Sequence, residues 1–396
     1  MTNHSASSIR RNRDGRIAKT IGYYAVFVTV GLAGAALGPT LGGLAENTGT
    51  DLARISILFT AFSLGYLLGS LLGGRLYDAA PGHPVMAAMV FLAAAMMAVT
   101  PLMPRLWLLA AVWLAMGAAS GGLDVGGNTL LVWVHGRQVG PFMNGLHFFF
   151  GVGAFLSPLL VALAASLGGG ITWSYWTLAL LALPAGAWLL RLASPPAPKD
   201  GEDGAAGPAP PGLVALLALF LLLHVGAESA FGGWIYTYAV AQGLGGGAAA
   251  AYLTSAFWGA LTVGRLLTIP LAIRFRPLPI LVGSLAGCLA SAGAVLLWPG
   301  SLAAVWSGTL GMGLGMAAIF PTTMALAERR MTITGRVTGW FLAGSSVGGM
   351  SLPWLIGQLF EPVGPWVMAG IILAAMAAAT AVLGIFTLRT AREARY

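Results

Sequence analysis

The sequence predicts an all-α integral membrane protein whose twelve transmembrane helices form two pseudo-repeated halves of six. Three observations carry this. Of 396 residues, 58% are hydrophobic and only 8% charged, with a mean hydropathy of +0.84. A soluble domain carries about 25% charged residues, so this chain cannot cover a water-facing surface, and its solvent is a bilayer. Apolar runs of roughly 20 residues, the length that spans a bilayer, recur twelve times. The basic residues fall almost wholly on one side of the resulting arrangement.

The first six runs cover about 17–45, 52–74, 84–102, 105–133, 141–167 and 171–191. The first is too long to be the h-region of a signal peptide. Next comes RLASPPAPKDGEDGAAGPAPPG, from Arg191 to Gly212, whose Pro, Gly and charge mark a linker. Six further runs follow at about 213–241, 248–273, 278–298, 301–327, 334–359 and 365–388. The expected organisation is a basic tail (1–16), a first half (17–191), a linker (192–212), a second half (213–388) and a short tail (389–396).

An even number of spans puts both ends on one side. The first tail contributes Arg10, Arg11, Arg13, Arg16 and Lys19 to that side. Loops and linker add Arg75, Arg137, Arg191, Lys199, Arg274, Arg276, Arg329, Arg330 and Arg336, and the last tail Arg389, Arg392 and Arg395. These are 17 of the 20 basic residues; Arg54 and Arg105 lie opposite, and Arg265 lies within a span. The positive-inside rule then makes both termini and the linker cytoplasmic, in the plasma membrane, the inner membrane of a bacterium. The net charge of +8 sets topology; it does not cluster in a folded soluble region as a nucleic-acid patch would. Cys288 is the one cysteine, so no internal disulfide is possible.

A shift of 195 residues superimposes parts of the halves. TAF at 60–62 meets SAF at 255–257, and Gly69 meets Gly264. VGAFLSP at 152–158 meets VGGMSLP at 347–353, and Gly31 and Gly38 meet Gly226 and Gly233. Duplicated six-helix units joined in parallel place a substrate site between them near the midplane.

Polar residues at that depth are the candidate site. In the fourth span Asn128 lies ~10 Å and Asp124 ~16 Å from the cytoplasmic end. They are four apart and share a face. In the fifth span Asn144 and His147 share a face, with His147 level with Asn128. A carboxylate at mid-membrane costs about 2.5–3.5 kcal/mol on insertion scales and by default marks function. The seventh span offers His224 and Glu228 on one face, then Gly232 and Gly233, expected to loosen the helix, and Trp234. A flat ring beside amide, imidazole and carboxylate groups suits a sugar, whose C–H face stacks and whose hydroxyls donate and accept. Trp258 in the eighth span is a second such ring. Arg265, always charged, lies two-thirds of the way along that span and calls for an acid, with Asp124 the expected partner and Glu228 the next. The structural readings are interhelical staples for the asparagines, an ion pair for Asp124 and an interfacial belt for Trp234. Asp78 reads as a loop residue, and His83 and His135 as solvated boundary residues.

Several stretches carry a resemblance. The layout resembles the major facilitator superfamily over almost the whole chain. LDVGGNTLLVWV, GPFMNGLHFFFGVGAFLSPLL, HVGAESAFGGWIYTYAV and YLTSAFWGALTVGRLL are similar, more narrowly, to the branch containing fucose permeases and sodium-dependent glucose transporters. The resemblance implies that the fifth and eighth spans meet across the halves. Two departures stand out. The family's G-x-x-x-D-x-x-G-R-[RK] loop is met by GRLYDAAPGHP, which supplies Gly74 and Asp78, places Gly82 one residue late, and follows it with His83 and Pro84 in place of the basic pair. Fucose permeases carry an acid within the first span, whereas here the first acid of that span is Glu46, at its outer end.

No H-E-x-x-H or Cys–His cluster is present, so neither enzyme chemistry nor a cofactor is expected. The reading is a monomeric secondary transporter that moves a small polar solute, a monosaccharide, with H+ or Na+. Asn128, Asn144, His147, Glu228, Trp234 and Trp258 are the expected substrate contacts, and Asp124, Glu228 and Arg265 the cation-coupling groups. The alternatives are a proton-driven exporter of amphipathic compounds, which favours an apolar cavity, and a metal carrier built on His147, His224, Asp124 and Glu228.

Overall fold

The computed structural model describes residues 3–196, 210–331 and 335–393, with side chains for 15–136, 138–196, 210–331 and 337–391. Most of the linker lies outside these residues, including Lys199. The side chains of Arg10, Arg11, Arg13, Arg137, Arg336, Arg392 and Arg395 also lie outside them.

Among the described residues every regular element is helical. The first half holds α1 (Asn3–Ala35), α2 (Leu37–Thr48), α3 (Leu52–Ile55), α4 (Ile57–Ala79), α5 (Gly82–Val99), α6 (Leu106–His135), α7 (Gly140–Ser166) and α8 (Gly170–Leu189). The second holds α9 (Pro211–Ala241), α10 (Gly247–Arg274), α11 (Pro277–Leu297), α12 (Leu302–Ala317), α13 (Ile319–Glu328), α14 (Gly335–Val363) and α15 (Val367–Glu393). Three pairs each make one span: α1 with α2, α3 with α4, and α12 with α13. Ten of the resulting twelve are long and apolar enough to cross a membrane. α8 and α14, more diluted by Ser, Thr, Trp and Gly, are 20 and 29 residues long and complete the two sets of six.

Two of the breaks have a local cause. Proline lacks an N–H, and its ring clashes with the carbonyl four residues before it. Pro39 thus disrupts the first span at Ala35, and Pro321 the tenth at Ala317, where α1 and α12 end. The basic tail is no separate element, because α1 runs through it. α9 begins two residues before the expected boundary, with Pro211 in its first turn, a position proline favours. α15 continues past 388 to Glu393.

The repeat is visible in the packing. A side chain on Gly31 would strike the α7 backbone at Phe150 and Ala154, and one on Gly153 the α1 backbone at Val28. At the shift of 195, Gly226 and Gly348 stand in the same relation across α9 and α14. Gly65, Gly69, Gly117 and Gly121 bring α4 and α6 into backbone contact, and Gly264 and Gly313 do so for α10 and α12. Small residues are what allow helices to approach this closely in a bilayer.

Two expectations are corrected. Gly232 and Gly233 do not loosen α9, which is continuous. They admit α2 instead: a Cβ on Gly38 would lie 2.9 Å from the Gly233 carbonyl oxygen and 3.0 Å from that of Gly232. His83 is not solvated but fully buried. Its Nδ1 donates to the Leu192 carbonyl (2.9 Å), so Nε2 accepts from the Tyr23 hydroxyl (2.8 Å). Its backbone N–H donates to Ser194 Oγ at 2.9 Å. The residue replacing a basic loop position therefore ties the end of the first half to α5. His135 is partly buried, stacked on Phe142 with ring centroids 3.6 Å apart and 2.8 Å from Thr20 Oγ1.

The face where α1 begins and α15 ends is the tail face; the opposite one is the far face. The halves are joined toward the far face. Gln358 Nε2 donates to the Ala53 carbonyl (2.7 Å) and to Ser56 Oγ (3.3 Å). Glu361 Oε1 accepts from the Leu52 N–H at 3.3 Å, and Thr60 Oγ1 donates to the Met350 carbonyl at 3.2 Å. Nearer mid-depth α7 meets α10, with Gly151 against Thr262 and Phe155 over Gly259. Leaving Val337 aside, no hydrogen bond or ion pair between described residues joins the halves on the tail side of Thr60 and Met350.

Candidate functional site

The glycine contacts of α4 and α6 place Tyr66 against Asp124. Asn128 Nδ2 donates to the Asp124 carbonyl (2.8 Å) and to its carboxylate Oδ1 (3.2 Å), which leaves the Asn128 amide oxygen free. The Tyr66 hydroxyl faces the same carboxylate from α4. All three side chains are partly buried. Asp124 is therefore a carboxylate with donors already in place, in a region that keeps accessible surface.

Glu228 on α9 is arranged differently. His224, one turn before it, is fully buried, and its Nε2 lies 3.6 Å from Glu228 Oε2. That is beyond hydrogen-bond length, and neither ring nitrogen has a hydrogen-bond partner. Glu228 keeps 17% of its side-chain surface accessible, so the pair has a closed and an open end.

Arg265 on α10 is partly buried. Its charge reaches Asp124, His147, His224 and Glu228, and at Asp124 it counts for less than the Tyr66 and Asn128 contacts. Yet among the described residues no carboxylate oxygen lies within 4.0 Å of it. The bridge to Asp124 expected from depth is thus not closed in this conformation, nor is the one to Glu228. One cation serves both halves at longer range.

The remaining expected residues divide. His147 is partly buried, edge-on to Phe27 with ring centroids 5.7 Å apart, and bonds to no described residue. Asn144 is exposed toward the tail face. Trp258 is 9% exposed and sits where the halves meet, packed edge-on by Phe150 at 6.3 Å. Its indole N–H is buried without an acceptor, as is Ser255 Oγ three residues earlier on the same helix face. Trp234, the first of the two rings expected at the site, is fully buried; its indole N–H donates to the Pro353 carbonyl at 3.0 Å. Phe360 stacks on it at 5.1 Å, and Phe59 of the other half lies at 6.1 Å. With those faces covered and its N–H bonded, Trp234 is part of the far-face closure and not an open platform.

Sequence reasoning missed Tyr66 and Ser255. Tyr66 could have been found from the glycines at four-residue spacing around it, which predict a close α4–α6 contact. Ser255 carries no such signal. Among the described residues no group of three His, Cys, Asp or Glu is placed to hold a metal ion, so the metal-carrier alternative lacks a ligand set there.

Two helical halves around a polar, charged centre define a membrane transporter. The chain belongs to the Major Facilitator Superfamily, whose family model matches residues 23–351. Sodium-dependent glucose transporter 1 of Xenopus laevis is 31% identical over 355 residues, covering 82% of this chain and 72% of that protein. Sodium-dependent glucose transporter 1A of Mus musculus is 30% identical over 376 residues, covering 85% of this chain and 88% of the relative. Among solved structures, the nucleoside transporter NupG shares the fold with a TM-score of 0.74 at 14% identity, covering 92% of this chain and 99% of that one.

Proposed function

We propose that this protein carries a monosaccharide together with a cation, Na+ or H+, by alternating access of its two halves about the central cluster. The observation that carries this reading is the shared charge arrangement. Asp124 of one half and Glu228 of the other lie within the field of a single Arg265 that is closed onto neither. An ion pair left open is a coupling element: a cation on one carboxylate weakens its hold on the arginine and shifts the balance between conformations. Asp124 with the free Asn128 amide oxygen and the Tyr66 hydroxyl is the oxygen-rich group on which we place the cation. His147, Asn144, Glu228, Ser255 and the unbonded Trp258 N–H are the polar groups on which we place the solute, with Trp258 in place of Trp234 as the stacking ring. The names of the curated relatives support both a hexose and sodium.

In this reading the chain works as a monomer in the plasma membrane with both termini cytoplasmic, so the conformation described is closed toward the outside. Uptake of labelled hexoses into proteoliposomes, under imposed Na+ or H+ gradients, tests the proposal. Accumulation above equilibrium under one gradient is expected. No hexose uptake, with efflux of amphipathic dyes instead, contradicts it and favours the exporter.

A further inference from the structure

We propose that a groove between the tail-face ends of α11 and α13 binds the phosphate headgroup of an anionic phospholipid. The groove encloses about 390 Å³ and is lined by Arg276, Pro277, Leu278, Leu326, Arg329 and Arg330. Among the described residues none of the three arginines has a carboxylate oxygen within 4.0 Å. The neighbouring acid, Glu328, is not part of the lining.

Helix ends decide what such a cluster means. Arg329 and Arg330 follow the last turn of α13, where cations suit the negative end of the helix dipole. The dipole and the basic bias of the tail face both account for these two. Only the bias accounts for Arg276. It is the N-cap residue of α11, with Pro277 at the first helical position. The positive end of a 21-residue helix is where a cation is disfavoured, and here it shares a groove with two more. A bound anion removes both penalties; of the first three residues of α11 only Leu278 offers it an N–H, since Pro277 and Pro279 have none. The site lies at a span end, the level of lipid headgroups, and Leu278 and Leu326 give it an apolar wall for the first acyl carbons. Basic pockets between helices on the cytoplasmic side of membrane proteins are suited to anionic headgroups. A singly charged phosphodiester carrying two acyl chains matches the charge, the depth and the wall together.

The test is native mass spectrometry of the full chain in detergent, titrated with phosphatidylglycerol, phosphatidylcholine or inorganic phosphate. Phosphatidylglycerol should remain bound at concentrations where phosphatidylcholine does not, and millimolar inorganic phosphate should not displace it. The triple variant Arg276→Gln/Arg329→Gln/Arg330→Gln should bind phosphatidylglycerol more weakly by on the order of 100-fold, given about 1 kcal/mol per basic group near an anionic leaflet. Arg276→Gln alone should lose about 5-fold, a milder change that keeps the test valid if the triple variant folds poorly. Equal binding of the two lipids, or a variant series that binds as the parent does, overturns the proposal. Displacement by inorganic phosphate overturns the lipid assignment in favour of a soluble anion. No outcome depends on what the protein transports.

Discussion

The two buried acids are provided for unequally. Asp124 receives the Asn128 amide and faces the Tyr66 hydroxyl, so much of its charge is met within its own half. Among the described residues Glu228 has no hydrogen-bond donor; His224 lies at 3.6 Å, outside hydrogen-bond geometry, and the Cys288 thiol also feels its charge. A carboxylate whose donors are held in place is fixed in position and leans less on a distant charge. One without them depends on longer-range charge, here Arg265. In the function proposed above, the cation falls to the first half, and the second half's acid senses the arginine and with it the position of the other half.

The largest expected effect tests that dependence. Arg265→Ala leaves two partly buried carboxylates without their shared cation; about 3–5 kcal/mol, the cost of breaking a closed buried pair, is the upper bound. Thermal unfolding in detergent should show the loss, and adding Glu228→Gln should recover more of it than adding Asp124→Asn. Equal recovery would mean the two acids lean on Arg265 alike. The tryptophans should separate next. Trp234→Ala removes a fully buried ring and should destabilise by about 3–5 kcal/mol. Trp258→Ala should chiefly weaken solute binding, by about 1–2 kcal/mol, read by isothermal titration. The reverse pattern would return the stacking role to Trp234.

How far the sequence reveals the fold follows from these cases. Spans, halves and the tail face are legible because hydropathy and glycine spacing are one-dimensional signals of a bilayer fold. The polar residues of the centre are legible as exceptions to the oil around them. Which way a side chain turns about its helix is less so. Trp234 and Trp258 lie at similar depths, and only the packing of Phe59, Phe360 and Pro353 around the first distinguishes them. His83 looks like a boundary residue until the chain after α8 folds back onto it. Arg265 can be placed in depth from sequence, but whether it closes on Asp124 is a property of one conformation.

Smaller effects refine the contrast. Tyr66→Phe removes a donor facing a charged group, a contact worth about 1.5–3 kcal/mol. The cation concentration for half-maximal uptake should then rise roughly 10- to 100-fold, with little change in hexose affinity at saturating cation. An unchanged cation dependence would remove Tyr66 from the ion site. Gln358→Ala deletes two hydrogen bonds of the far-face closure and should shift the conformational balance by about 1 kcal/mol. Accessibility labelling of a cysteine placed at the far face should report it as faster modification, and an unchanged rate would show that the closure rests on packing alone.

The most direct measurement compares accumulation with exchange for Asp124→Asn in proteoliposomes. Unlabelled hexose inside and labelled hexose outside measures exchange; an imposed cation gradient with empty vesicles measures uphill uptake. If Asp124 is where the cation binds, the variant keeps most of its exchange and loses concentrative uptake entirely. Undiminished uphill uptake by the variant would contradict the assignment and move the coupling site to the Glu228 half.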